Sequence, residues 1–364
     1  MTSLEALVVL NMLESVGPVT VRKLLEEFGS PERILDQSLA ALERIPSVNR
    51  DAAHAIATWH EKIDLSAELR RCQEFGCQII SFLDDDYPRL LKEIYDPPLV
   101  LYVKGTITAA DGSGVAIVGS RRTTNYGRET ARKLAQQLGQ AGVTVVSGGA
   151  RGIDSSAHFG ALHVGGRTIC VVGNGINLIY PPENRELFDR IADQGAVATQ
   201  FPFNRQADRQ TFPIRNRIVA GMTVGTVVVE ANAQSGALIT ANMANDAGRQ
   251  VFAVPGPVHS PRSKGCHQLI KNGAKLCESV EDILSEIEYL FPQKPMSTEL
   301  FEGDLEGGEA AILSMIRNED IHIDELVRNT KLSVAVVSVT LLKLEMKGLI
   351  VQQPGHVYSA AGRC

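Results

Sequence analysis

Between Val115 and Gly256 the chain repeats one device: a short apolar run that ends in a turn of glycine, serine and arginine. VAIVG-SRRTTNYG begins at Val115, VTVVS-GGARGID at Val143 and TICVVG-NGINLIYPPEN at Thr168. FPIRNRIVAG follows at Phe212, TVVVEANAQSGALITA at Thr226 and VFAVPGP at Val251. Strand alternating with helix is the pattern of an α/β domain whose parallel sheet is covered on both faces. The spacing predicts strands at Val115–Gly119, Val143–Ser147, Thr168–Gly173, Ala196–Gln200, Gly225–Glu230 and Gln250–Val254. Strands that end in small residues and feed helices make an edge of backbone N–H groups that attracts anions. Arginine in those turns points to phosphate, carried either by a small nucleotide or by a polynucleotide.

Charge narrows the choice. The net charge is −6, which by itself disfavours a nucleic-acid binder, but its distribution is uneven. Arg121, Arg122, Arg128, Arg132 and Lys133 face only Glu129, and Arg205, Arg209, Arg215 and Arg217 face only Asp208. From Arg249 to Lys275 there is no acid at all; acids gather instead at Asp84–Asp86 and Glu299–Glu309. A local basic face on an acidic protein holds phosphates in a salt-sensitive way. No apolar run reaches membrane-spanning length, and the first residues lack the basic start and cleavage site of an export signal. The cysteines, Cys72, Cys77, Cys170, Cys266, Cys277 and Cys364, form no C-x-x-C pair and no zinc spacing with histidine. Reduced thiols in a cytoplasmic protein, without metal or cofactor, are expected.

The turns carry the candidate site. Gly119, Ser120, Arg121 and Arg122 combine close backbone approach, a hydroxyl and planar guanidinium forks. Ser147, Gly148 and Gly149 form a second turn, with Asp154 placed to cap a helix through Ala157 and His158. Phe212, Arg215, Asn216 and Arg217 offer an aromatic for a base and arginines for phosphate at a helix start. Arg205 and Arg209 precede them, and Ser235, Gly236 and Thr240 close the edge. The structural alternative packs Phe212 and Ile214 inward and pairs the arginines with acids such as Glu230. The turns match neither G-x-G-x-x-G nor a Walker loop, and no nucleophile, metal or paired-carboxylate set stands out.

The flanks differ from this domain. Residues 1–65 read as short helices; VGPVTVRKLL and IPSVNRDAAHAI each place a tight turn before a helix, which resembles paired helix-hairpin-helix motifs. Val19, Ser47 and Asn49 stand where such turns want glycine, so phosphate contact and plain helix packing both remain open. Residues 66–114 are a connecting segment in which DPPLVLYVKG reads as an edge strand entered through a rigid turn. Residues 291–308 read as a linker, and 309–364 as a winged helix-turn-helix pattern. Its third helix offers Ser333, Val334, Val336, Ser338 and Thr340, with lysine only at Lys343 and Lys347, so protein docking competes with base reading.

At the turns the chain resembles the DprA/Smf family of bacterial natural transformation. YPRLLKEIYDPPLVLYVKG, VAIVGSRRTTNYG, SGGARGIDSSAH, YPPENREL, FPIRNRIVAG, EANAQSGALITA and GRQVFAVPG stand in that family's order over about residues 81–290. The resemblance implies an extended Rossmann-like domain, here 115–290, between a SAM/helix-hairpin-helix-like domain and a winged-helix-like domain. It implies single-stranded DNA binding without catalysis, a homodimer and loading of the recombinase RecA. It puts the phosphate-binding arginine at Arg121 and a basic pocket at Arg215 and Arg217. Two departures stand out. Arg205 and Arg209 are the nearest basic residues where relatives often carry lysine, and Thr199-Gln200 replaces their Ser-Glu. Two other readings remain: a phosphoribohydrolase-like enzyme, although QSGALITAN lacks that chemistry's acid, and a duplex-binding regulator acting through the winged unit.

Overall fold

The computed structural model describes residues 1–46, 48–287, 307–318, 320–346, 349–353 and 355–360. Ser47, Lys347, Cys364 and the expected linker up to residue 306 lie outside these. Gly307 and Gly308, placed in that linker from sequence, open the helix Gly307–Asn318.

The chain divides into two compact units, Met1–Leu290 and Phe291–Cys364. The first is built on nine strands: β1 Gln78–Ser81, β2 Val100–Gly105, β3 Val115–Val118, β4 Val145–Ser147, β5 Thr168–Val171, β6 Ala196–Thr199, β7 Gly225–Val228, β8 Gln250–Ala253 and β9 Lys275–Leu276. Their order is β1-β2-β6-β5-β4-β3-β7-β8-β9. β1 and β2 join antiparallel, and every pairing from β6 to β9 is parallel. VAIV, TICV, AVAT and GTVV are buried along their whole length, as strands covered by helices on both faces must be. β2 is not an edge strand. Pro97 and Pro98 precede its first paired residue, so they leave its ladder intact, and β1 hydrogen-bonds along its outer side.

From β3 the chain adds β4, β5 and β6 on one side, then returns to place β7 and β8 on the other. That reversal sets the position of the site. The N-terminal helices do not form a separate core. Leu7, Leu10, Leu24, Ile34 and Ile56 pack in one cluster with Val100, Tyr102, Ile176 and Phe203 of the sheet unit. The helices Pro18–Phe28 and Arg50–Ala57 start behind Gly17 and Asn49, and the Asn49 side chain accepts from Ala52 N at 2.7 Å.

The second unit has helices Gly307–Asn318, Ile323–Thr330 and Val334–Met346 beside a small antiparallel sheet. The sheet comprises β10 Ile321–His322, β11 Ile350–Gln353 and β12 Val357–Ala360, in the order β10-β12-β11. Val337, Leu341 and Leu344 point into its core, while Val334, Val336, Val339 and Leu342 are exposed. Lys343 pairs with Glu309 at 3.6 Å. Among the described residues no helix is long and apolar enough to cross a membrane, and no group of histidine, cysteine and acidic side chains could hold a metal ion.

Candidate functional site

β3 and β7 are parallel neighbours with Val118 beside Val228, and their connections leave toward opposite sides. A crevice therefore opens beyond their carboxyl ends. Ser120 N donates to the Glu230 carbonyl at 2.7 Å, which ties the two strand ends together. A Cβ on Gly119 would sit 2.6 Å from Ile153 Cγ1 and 3.0 Å from the Glu230 carbonyl, so only glycine fits there. The crevice is a cleft of about 470 Å³. Gly119, Ser120, Arg121, Arg122, Arg209, Phe212, Arg215, Asn216, Ser235, Gly236 and Thr240 line it, together with Ala150, Asp154 and Asn232.

Two kinds of arginine meet in the cleft. Arg121, Arg122 and Arg209 are exposed, and among the described residues none has a carboxylate within 4.0 Å. The Arg121 guanidinium lies 4.4 Å over the centre of the Phe212 ring, and Phe212 packs at 6.1 Å against Tyr180, 42% exposed. Cation, ring and ring adjoin in one wall, the two rings tilted by 48° to each other. Arg215 is the opposite kind, with only 5% of its surface exposed. Its guanidinium lies directly against Gly148, where a Cβ would come 1.3 Å from Nη1. Asp154 Oδ2 stands 3.9 Å from Nη1, Nε has no partner, and Arg215 makes no hydrogen bond among the described residues. Burial holds the Asp154 carboxyl above the usual carboxylate range against the pull of Arg215, and burial lowers the Arg215 pKa against the pull of Asp154. A buried guanidinium with unmet donors at the floor of a cleft is a site for an anion that brings its own oxygens.

Two helices begin at the crevice. Ser235 caps Gly236–Asp246, accepting from Ala237 N at 3.3 Å, and Asn216 Nδ2 reaches the Gly236 carbonyl at 3.5 Å. Asn125–Gln140 is capped by Thr124, and its start is already occupied by an acid. The Glu230 carboxylate accepts from Thr123 Oγ1 at 2.6 Å, Thr124 Oγ1 at 2.6 Å and Thr124 N at 2.9 Å. Glu230 therefore pairs with none of the arginines.

Several expected residues lie elsewhere. Ser147 is fully buried and donates to the Ile117 carbonyl at 2.6 Å. Gly148 and Gly149 are buried too; Gly148 makes room for Arg215, and the Gly149 carbonyl accepts from Asn184 Nδ2 at 2.9 Å. Arg205 pairs with Asp208 at 2.7 Å. Arg217 binds Asp96 at 2.5 Å and donates to Gln200 Oε1 at 2.6 Å. Arg205 and Arg217 line a second cleft, of about 900 Å³, against Asn11–Pro18 of the N-terminal helices. Arg215 and Arg217 thus share no pocket, because residues two apart on a helix face opposite ways. Asp154 is not a cap: Gly152 occupies that position for Ile153–His163, and Asp154 is the buried partner of Arg215. His158 is not near the edge but fully buried. Its Nδ1 lies 2.8 Å from Thr168 Oγ1, whose own proton goes to the Val145 carbonyl. Tyr180 and Asn232 were missed; Tyr180 stood in YPPENREL, far in the chain from Phe212, the cleft residue it packs against.

The chain is similar to known proteins. Residues 78–288 match the family model of DNA recombination-mediator protein A, and 298–356 match the DprA winged helix domain. Protein Smf of Synechocystis sp. is 35% identical over 96% of both chains. The X-ray structure of DNA processing protein A from Streptococcus pneumoniae superposes with a TM-score of 0.67 at 35% identity, covering 79% of this chain and 98% of that one. A structure of DNA processing protein A from Helicobacter pylori, reported for its unique single-stranded DNA binding mode, gives 0.53 at 26% identity over 59% and 98%.

Proposed function

We propose, from the premise that this chain belongs to the DNA recombination-mediator protein A (DprA/Smf) family, that it binds single-stranded DNA in the switch-point cleft. One observation carries the reading. Arg215 is buried against Gly148 with unmet donors, beneath Arg121 stacked on Phe212. A phosphate oxygen satisfies Arg215, and an unstacked base extends the Arg121–Phe212–Tyr180 wall. A duplex keeps its bases stacked inside and cannot use that wall. The H. pylori relative reported with a single-stranded DNA binding mode supports the same ligand.

On this reading the protein acts in the cytoplasm as a homodimer, protects incoming single strands during natural transformation and loads RecA onto them. It binds without turnover. The Glu230 carboxylate is tied up at the start of Asn125–Gln140, and the acid that lines the cleft, Asp154, is buried against Arg215.

Fluorescence anisotropy with labelled single-stranded and duplex DNA of equal length, over a salt series, tests the reading. The expected result is single-strand preference with a steep fall in affinity as salt rises. Equal affinity for both forms, or none for either, would overturn it. Strand exchange by RecA with and without the protein then tests loading.

A further inference from the structure

Away from the switch point, a second groove of about 320 Å³ runs over the helices Asn125–Gln140, Ile153–His163 and Arg185–Gln194. Arg128 and Arg132 stand one turn apart on the first helix, Ser156, Phe159 and His163 come from the second, and Arg190 from the third. The three arginines are exposed, and among the described residues none has a carboxylate within 4.0 Å; the one acid in the groove is Glu129. Arg128 does hydrogen-bond Asn125 Oδ1, at 2.6 Å. Phe159, 43% exposed, lines the same groove. A single exposed aromatic is ordinary. An exposed aromatic in one groove with three guanidinium groups that have no carboxylate partner combines the same residue types as Arg121 and Phe212.

The groove and the cleft draw residues from the same two chain segments. On Ile153–His163 the first turn serves both: Asp154 lines the cleft, and Ser156, on another side of that turn, lines the groove. Arg122 lines the cleft, and Arg128 follows it six residues later in the chain. From Asn125 to Arg132 the helix rises about 10 Å. We infer that this groove is an auxiliary single-strand surface, which takes the DNA where it leaves the switch-point cleft. The arginines hold backbone phosphates and Phe159 stacks a base. The inference rests on the reading of the cleft, and its test separates the two.

Labelled oligothymidylates of about six and about twenty nucleotides serve as probes. The short one suffices for the cleft; the long one reaches the groove as well. The variant Arg128→Ala/Arg132→Ala/Arg190→Ala should bind the long probe about 30-fold more weakly and the short probe within about twofold. Its slope of log affinity against log salt on the long probe should drop by about 2, for three lost phosphate contacts. In a separate variant, Phe159→Trp, indole fluorescence should be quenched by the long probe and not by the short one. Unchanged affinity of the triple variant for the long probe, with wild type binding both, overturns the groove and leaves the cleft intact. Wild type binding neither probe overturns both. Unchanged DNA binding with loss of a protein partner reassigns the groove to that partner.

Discussion

Arg215 and Arg217 stand two residues apart on one helix and face two different clefts. Arg217 has its charge answered by Asp96 and Gln200. Arg215 has a carboxylate at 3.9 Å, no hydrogen bond and a wall of glycine backbone against it. Counting basic residues treats the two alike. What separates a binding arginine from a structural one is whether its donors are already satisfied, and that depends on residues far away in the chain.

The most direct way to break this contrast is to remove the open side. Arg121→Ala with Arg215→Ala should weaken single-strand affinity by about two orders of magnitude in anisotropy titrations, since two charge-assisted contacts are lost. A subtler change acts without touching an arginine. Gly148→Ala puts a methyl group where Nη1 of Arg215 lies, so the guanidinium must move, and affinity should fall roughly tenfold or more while the charge count stays the same. Phe212→Leu keeps an apolar side chain and removes the stack; a loss of about tenfold is expected on the same titration. Arg217→Ala should do the reverse of these. Affinity should change by less than about threefold, while urea unfolding should show a loss of about 1–2 kcal/mol, because Asp96 is left partly buried without its partner.

A separate effect, on stability rather than affinity, concerns acid behind the open cleft. Burial, aided by the positive charge of Arg215, lowers the His158 pKa to about 3. A depressed folded-state pKa contributes stability that is present above the unfolded value near 6.5 and is lost as pH falls toward 3. Melting temperature should therefore decline from pH 6.5 downward, and His158→Gln should flatten that decline. An equally steep decline in the variant would exclude His158 as its source.

The strands from β3 to β8 were legible because each short apolar run is punctuated by a turn. β2 was misread as an edge because Pro97 and Pro98 are a strong local signal, and a local signal says nothing about the β1 partner outside. β9, two residues long, has no pattern to read. In the site, Gly119, Ser120, Arg121 and Phe212 were found from their own turns. The opposed faces of Arg215 and Arg217 were also available from helix spacing, but the motif reading and the resemblance both grouped them together. The contact of Arg215 with Gly148 could not be read, since it joins a helix to a strand end across the fold. Asp154 was misjudged for the same reason: its chain neighbours make it look like a cap, and its spatial neighbour makes it a counter-charge.

Glu230 has one more consequence. In dinucleotide-binding sheets the first helix after the central strand seats a pyrophosphate on its bare N-terminus. Here the equivalent berth, at Thr123 and Thr124, is filled by a carboxylate of the protein itself. A free mononucleotide is denied the tightest seat of the fold and keeps only the weaker holds along the rim. A polymer compensates by multivalency, since each phosphate bound raises the local concentration of the next. On the proposed reading, this internal anion favours a polymer over a free nucleotide in the cleft.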